Sequence, residues 1–130
     1  MEPLRVLVVD DDLALATLVQ RYLERLGCEV ELADDSQDAL RRFQSARRPF
    51  QLVVADMSMP GLSGEELLGS VLERDHHVRA ILTSGYAMAE TTLEQQYHGR
   101  IEFLQKPFFP KMLADTVSKL FPHPASRSAS

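Results

Sequence analysis

Leu52-Val53-Val54-Ala55-Asp56, continuing without a break into Met57-Ser58-Met59-Pro60-Gly61-Leu62-Ser63-Gly64, is the stretch whose reading decides the fold. Four apolar residues bounded by turn formers predict a short strand covered on both faces. The strand delivers one carboxylate at its end. The Met59-Pro60-Gly61 turn then reverses the chain, so Asp56 stands at the carboxyl edge of the strand. In an open parallel sheet, ligands bind in the crevice beyond that edge. Asp56 is therefore placed as a site residue.

Working outward, Leu4 to Val9 is a second near-continuous apolar run, and it stops abruptly at Asp10-Asp11-Asp12. Leu15, Leu18, Val19, Tyr22 and Leu26 follow at helical spacing, with Gly27 as the stop. Glu29 to Ala33 alternates like a strand. Asp35 or Ser36 caps a helix whose buried face carries Ala39, Leu40 and Phe43. Beyond Asp56, Leu67, Leu68, Val71 and Leu72 mark a helix over 64–74. Ala80 to Thr83 and Ile101 to Leu104 read as strands four and five. Between them, residues 87 to 98 are a weakly patterned helix around Met88, Leu93 and Tyr97. Leu113, Val117 and Leu120 define the last helix. Five strands alternating with five helices predict an α/β fold, a parallel sheet with helices on both faces. One domain over 1–121 is expected, with 122–130 (PHPASRSAS) as a disordered tail lacking an apolar face.

Composition narrows the function classes. A hydrophobic share of 45% with 25% charged residues is that of an ordinary globular domain, and 130 residues suffice for one such domain. No apolar run approaches the roughly 20 residues of a membrane span, and no signal-peptide pattern opens the chain. The net charge of −5 argues against nucleic acid as a direct partner. The solitary Cys28 excludes an internal disulfide and reads as a small, partly buried residue in a cytoplasmic protein. Arg41-Arg42 and Arg47-Arg48 are expected to coat a solvated helix face. His76, His77, His98 and His123 read as surface residues without a role.

Four strand ends carry polar groups: Asp10-Asp11, Asp56, Ser84 and Lys106. Asp12 is read as the N-cap of the first helix. If strands one and three are neighbours, three carboxylates converge. Two bare carboxylates about 4 Å apart repel by roughly 4 kcal/mol at an effective dielectric near 20. Such a cluster must take up a proton or a cation. Its donors are all oxygens, which implies a hard divalent ion, Mg²⁺ before any other, with Mn²⁺ as the alternative. A carboxylate beside such an ion can also act as a nucleophile towards phosphorus. Phosphoryl transfer needs charge neutralised on three equatorial oxygens. The ion, Lys106 and a strand-four hydroxyl supply one partner for each. The combination reads as an aspartyl phosphorylation site.

These residues resemble a receiver domain of two-component response regulators. The resemblance covers about residues 4 to 120. It rests on VLVVDDD at 6–12, DMSMPGLSG at 56–64, ILTSGYA at 81–87 and FLQKPF at 103–108, in that order and each on its expected element. It implies a flavodoxin-like, three-layer doubly wound sheet with strand order 2-1-3-4-5. It further implies Asp56 as phosphoacceptor, Asp11 as direct Mg²⁺ ligand, Asp10 as a partner acting through water, and the Ser58 backbone carbonyl as a further ligand. Lys106 matches the phosphate-pairing lysine, and Phe103 the aromatic switch. Lys106-Pro107 should be a cis peptide. Ser58 and Tyr86 fall at the positions that tune the lifetime of the phosphoryl group. The hydroxyl is assigned to Ser84, with Thr83 as runner-up. The spacing to Lys106 and the small Gly85 both fit Ser84, and successive strand residues face opposite sides.

Three stretches depart from the usual pattern: Arg79-Ala80 before strand four, Gly99-Arg100-Ile101, and the weak fourth helix. All bear on the surface formed by the fourth helix, fifth strand and fifth helix. By the resemblance, the chain is a signalling switch, not a metabolic enzyme. It is phosphorylated by a histidine kinase or a histidine phosphotransfer domain, loses the group by slow self-hydrolysis, and acts on an unknown output partner. It is expected to be a monomer, or a weak dimer through that surface. Three rival readings fit the sequence less well. A Mg²⁺-dependent phosphohydrolase with an aspartyl intermediate usually has an acid where this chain has Ser58. A flavodoxin-like cofactor binder needs a phosphate cradle where three aspartates stand. A pseudo-receiver would not keep Asp11, Asp56, Ser84 and Lys106 together.

Overall fold

The computed structural model describes residues 3–59, 61–85 and 92–122. Ten elements alternate: β1 (Arg5–Val9), α1 (Leu13–Arg25), β2 (Glu29–Ala33), α2 (Ser36–Ser45), β3 (Leu52–Asp56), α3 (Gly64–Arg74), β4 (Arg79–Ser84), α4 (Thr92–Gln96), β5 (Ile101–Gln105) and α5 (Pro110–Leu120). The strands form one parallel sheet in the order β2-β1-β3-β4-β5. Alternation along each strand sends successive side chains to opposite layers. Leu7, Val9, Val53, Ala55, Ala80 and Leu82 pack beneath α2 and α3, with Leu67, Leu68, Val71 and Leu72 opposite them. Val6, Val8, Leu52, Val54 and Ile81 pack beneath α1 and α5, against Val19, Leu23, Leu113, Val117 and Leu120. Both faces are covered, which is why these strands read as unbroken apolar runs.

Local chemistry sets the helix starts. Asp12 caps α1 by accepting from the Leu15 N–H at 3.2 Å, as expected. Of the two residues predicted to cap α2, Asp35 does so, accepting from the Asp38 N–H at 2.8 Å. Ser63 and Glu66 form a reciprocal capping box at α3. Gly27 leaves α1 with φ of 93°, the left-handed stop its type favours.

Three expectations need correction. Leu18 and Leu26 are exposed, at 41% and 48%. The buried stripe of α1 is Ala16, Val19 and Leu23, and Leu26 lies past the last helical turn. The basic cluster is not simply a solvated face. Arg42 Nη1 lies 3.2 Å from Glu31 Oε1, and Arg48 Nη2 lies 2.7 Å from Glu29 Oε1. These pairs put charge along the edge strand β2, which discourages pairing with another sheet. The fourth helix is short, Thr92–Gln96, with Leu93 buried. Met88 lies outside the described residues, as do Pro60, Tyr86, His123 and nearly all of the proposed tail.

Candidate phosphorylation site

Register brings the predicted groups together. Val9 pairs with Ala55, so the next residue on each strand, Asp10 on one and Asp56 on the other, emerges at the same level. Asp56 pairs in turn with Thr83, and Ser84 with Gln105, the residue before Lys106. The carboxyl edge of the sheet thus gathers side chains from β1, β3, β4 and β5.

Carboxylate oxygens of Asp10, Asp11 and Asp56 lie within 4.8 Å of one another. Asp10 and Asp56 are buried, at 7% and 9% exposure, and Asp11 is exposed. Lys106 Nζ stands 3.1 Å from Asp56 Oδ1 and 3.3 Å from Asp10 Oδ2. The other Asp10 oxygen, Oδ1, accepts from the Asp12 N–H at 2.9 Å. Burial pushes the Asp10 carboxyl above its ordinary value, and the neighbouring Asp56 charge adds to this. The Asp12 N–H and the Lys106 ammonium oppose the shift without cancelling it. One ammonium faces three carboxylates, so the cluster has oxygen donors and negative charge to spare. That donor set fits a hard divalent cation such as Mg²⁺.

The loop after Asp56 is held at several points. The Met57 N–H donates to the Thr83 carbonyl at 2.8 Å, and the Gly64 N–H to the Met57 carbonyl at 3.1 Å. The Leu62 N–H donates to Ser36 Oγ at 3.0 Å. Gly64 has a specific reason to be glycine, because a Cβ there would overlap the Asp56 carbonyl. Ser58 is exposed on this loop.

Both hydroxyl candidates on β4 are buried. Thr83 shares the face of Asp56, but its Oγ1 donates to the Ala55 carbonyl at 3.5 Å. Ser84 falls on the face of Leu82, which pairs with Phe103 across β4 and β5. Ser84 and the Phe103 ring therefore share one layer, and Thr83 lies on the other. Phe103 is half-buried against the core. The Lys106 N–H donates to the Ser84 carbonyl at 2.7 Å, and the Lys106-Pro107 peptide is cis.

Sequence reasoning missed two contributors. Ser36, fully buried, was read only as a capping alternative. Its contact with Leu62 spans 26 positions and has no local signature. Arg100 was noted as a departure without a role. Its guanidinium donates to the carbonyls of Leu72, Asp75 and Val78, tying the start of β5 to the end of α3.

A doubly wound sheet with three carboxylates and a lysine at its carboxyl edge defines a class of phosphate- and metal-handling α/β domains. Residues 6–118 match the response regulator receiver domain family. The chain belongs to that family: it is a receiver domain of the two-component response regulators. Response regulator protein FleR of Pseudomonas aeruginosa is 34% identical over 115 residues, covering 88% of this chain and 24% of FleR. Sensor histidine kinase GacS of Pseudomonas protegens is 32% identical, over 88% of this chain and 13% of GacS. The chain thus spans about a quarter or less of these relatives. Among solved structures, response regulator protein TrrA of Thermotoga maritima, in complex with Mg²⁺–BeF, superposes with a TM-score of 0.78. It is 30% identical, with 92% of this chain and 99% of that one covered. The fold class, five parallel strands in the order 2-1-3-4-5 with five helices, is that of the family. No helix among the described residues is long and apolar enough to cross a membrane.

Proposed function

We propose that Asp56 accepts a phosphoryl group from a phosphohistidine on a histidine kinase or histidine phosphotransfer domain. One Asp56 oxygen attacks phosphorus in line with the P–N bond. That bond breaks, the imidazole nitrogen leaves with the electron pair, and an acyl phosphate forms on Asp56. Lys106, already 3.1 Å from Asp56 Oδ1, pairs with one phosphoryl oxygen, and the Ser84 hydroxyl donates to another. Asp11, Asp56 and the Ser58 carbonyl, with Asp10 through water, would hold Mg²⁺, which when bound would supply charge neutralisation for the remaining oxygen. Mn²⁺ meets the same donor set. Ser84 and Phe103, on one layer, then shift together and bias the surface of α4, β5 and α5. Water later hydrolyses the acyl phosphate, with Ser58 and Tyr86 setting its lifetime.

The observation that carries this reading is the Lys106 ammonium shared between two buried carboxylates at the sheet edge. The matches to both a response regulator and a sensor histidine kinase support a receiver that serves in either setting. We assign no direct nucleic-acid contact to this domain, in keeping with its net charge of −5. A cytoplasmic location accords with its solitary cysteine. A monomer, or a weak dimer through α4, β5 and α5, is the expected state, with the output left to a partner or attached domain. Incubation with Mg²⁺ and acetyl phosphate tests the proposal. The wild type should gain about 80 Da, one phosphoryl group. No adduct in the wild type, or an undiminished one in Asp56→Asn, overturns it.

A further inference from the structure

We infer that Ser36 is a positioning residue for the metal-binding loop, an assignment that rests on the reading of Asp56 and Ser58 given above. Ser36 opens α2, the helix that follows the edge strand β2, and it is fully buried. It is not the helix cap, because Asp35 fills that role. Its Oγ instead accepts the Leu62 N–H at 3.0 Å, across 26 positions. Gly61, with φ of 80°, packs against the same oxygen, at 3.2 Å from where a Cβ would stand. The loop from Met57 to Ser63 is fixed at one end by the Met57 bond to Thr83 and at the other by the α3 capping box. Ser36 ties its far limb to α2.

The physical consequence follows from what a missing acceptor would do. The Leu62 N–H would lose its partner in a part-buried setting, and the loop would gain conformations in which that group reaches water. The Ser58 carbonyl sits on the same short loop and must be aimed at the cation for the site to close. Holding Leu62 therefore fixes the loop before the ion arrives, and the entropy of ordering it is not charged against binding. Ser36 touches neither the ion nor the phosphoryl group. It acts through Leu62 and Gly61.

The test titrates Mg²⁺ alone into the full chain by calorimetry, comparing wild type, Ser36→Ala and Val117→Ala. Val117 is buried on the core face of α5, in the layer opposite the one that holds the loop, and controls for general destabilisation. Ser36→Ala should bind Mg²⁺ about tenfold more weakly, while Val117→Ala binds as the wild type does. Equal affinity in Ser36→Ala, or equal weakening in Val117→Ala, overturns the inference. A wild type that takes up no Mg²⁺ defeats the underlying reading instead. Should Ser36→Ala not fold, hydrogen exchange at the Leu62 amide of the wild type decides. Protection that rises with Mg²⁺ supports the tether, and protection indifferent to Mg²⁺ overturns it.

Discussion

The ammonium of Lys106 lies 3.1 Å from Asp56 Oδ1 while also standing 3.3 Å from Asp10 Oδ2. The lysine thus occupies, in part, the charge position that a divalent cation would share. Two effects of removing it should separate. Lys106→Met should bind Mg²⁺ more tightly at low salt, because a competing cation is gone. Its rate of phosphorylation by acetyl phosphate should fall by about 100-fold, because a donor aimed at developing phosphoryl charge is lost. Calorimetric titration and the rate of adduct growth measure the two. A parallel loss of both would mean that Lys106 only holds the site together.

Asp10 gives a pH dependence with a definite sign. Burial raises its carboxyl above the ordinary 3.8, so between 3.8 and the folded-state value the native chain holds more proton than the unfolded chain. Stability contributed by this group therefore falls as pH rises through that window, and the penalty is complete above it. Asp10→Asn removes the charge and keeps an oxygen for the Asp12 N–H. Without Mg²⁺ at pH 7, it should melt above the wild type. The advantage should shrink towards zero below pH 3.8. Thermal melts across this range check it, and a variant less stable than wild type at pH 7 would refute the assignment of Asp10 as a strained carboxylate.

Much of this site was legible because the relevant signals are local. Apolar runs that stop at Asp10, Asp56 and Lys106 mark strand ends, and parallel topology makes strand ends converge. The span 64–74 for α3 followed from the spacing of Leu67, Leu68, Val71 and Leu72. What was not legible depends on contacts far apart in sequence. The exposure of Leu18 could not be foreseen, since Leu15, Leu18, Val19 and Tyr22 all satisfy a helical period and only packing against β1 and α5 chooses the stripe. Ser36 and Arg100 act on backbone groups 25 or so positions away, and polar side chains near turns carry no mark of such a target. The Thr83 and Ser84 ambiguity is of the same kind, since alternation separates their faces without saying which face serves the phosphate.

Asp11, unlike Asp10 and Asp56, is exposed, which separates its function from stability. Asp11→Ala should change the unfolding free energy by no more than about 0.5 kcal/mol. On the proposed reading of Asp11 as a ligand, it should nevertheless weaken Mg²⁺ binding by at least about tenfold. In the wild type, Mg²⁺ at 100 times its dissociation constant should add about 2.7 kcal/mol of stability, and a chelator should reverse this. In Asp11→Ala the same Mg²⁺ concentration should add clearly less. Denaturant melts with and without Mg²⁺ measure both quantities, and an unaltered Mg²⁺ effect in the variant would exclude Asp11 from the metal shell.

Arg100 offers a structural prediction independent of the phosphorylation chemistry. Its guanidinium donates to the Val78 carbonyl through Nε at 3.2 Å and through Nη2 at 2.9 Å, and to the carbonyls of Leu72 and Asp75. The Leu72 carbonyl belongs to the last turn of α3, where helical carbonyls lack intrahelical partners. Positive charge there also meets the negative end of the helix dipole. The ring of Tyr97 lies 5.5 Å from the guanidinium carbon and covers it. Arg100→Ala leaves three part-buried carbonyls short of a donor and should cost about 2–3 kcal/mol. Arg100→Lys should recover only part of this, since a single ammonium cannot span the fork that three carbonyls occupy. The loss should leave the rate of Asp56 phosphorylation near the wild-type value, because the clamp sits at the opposite edge of the sheet from the acidic cluster. Urea melts of the three proteins give the ranking, and a lysine variant as stable as the wild type would show that charge alone, not the fork, holds β5 to α3.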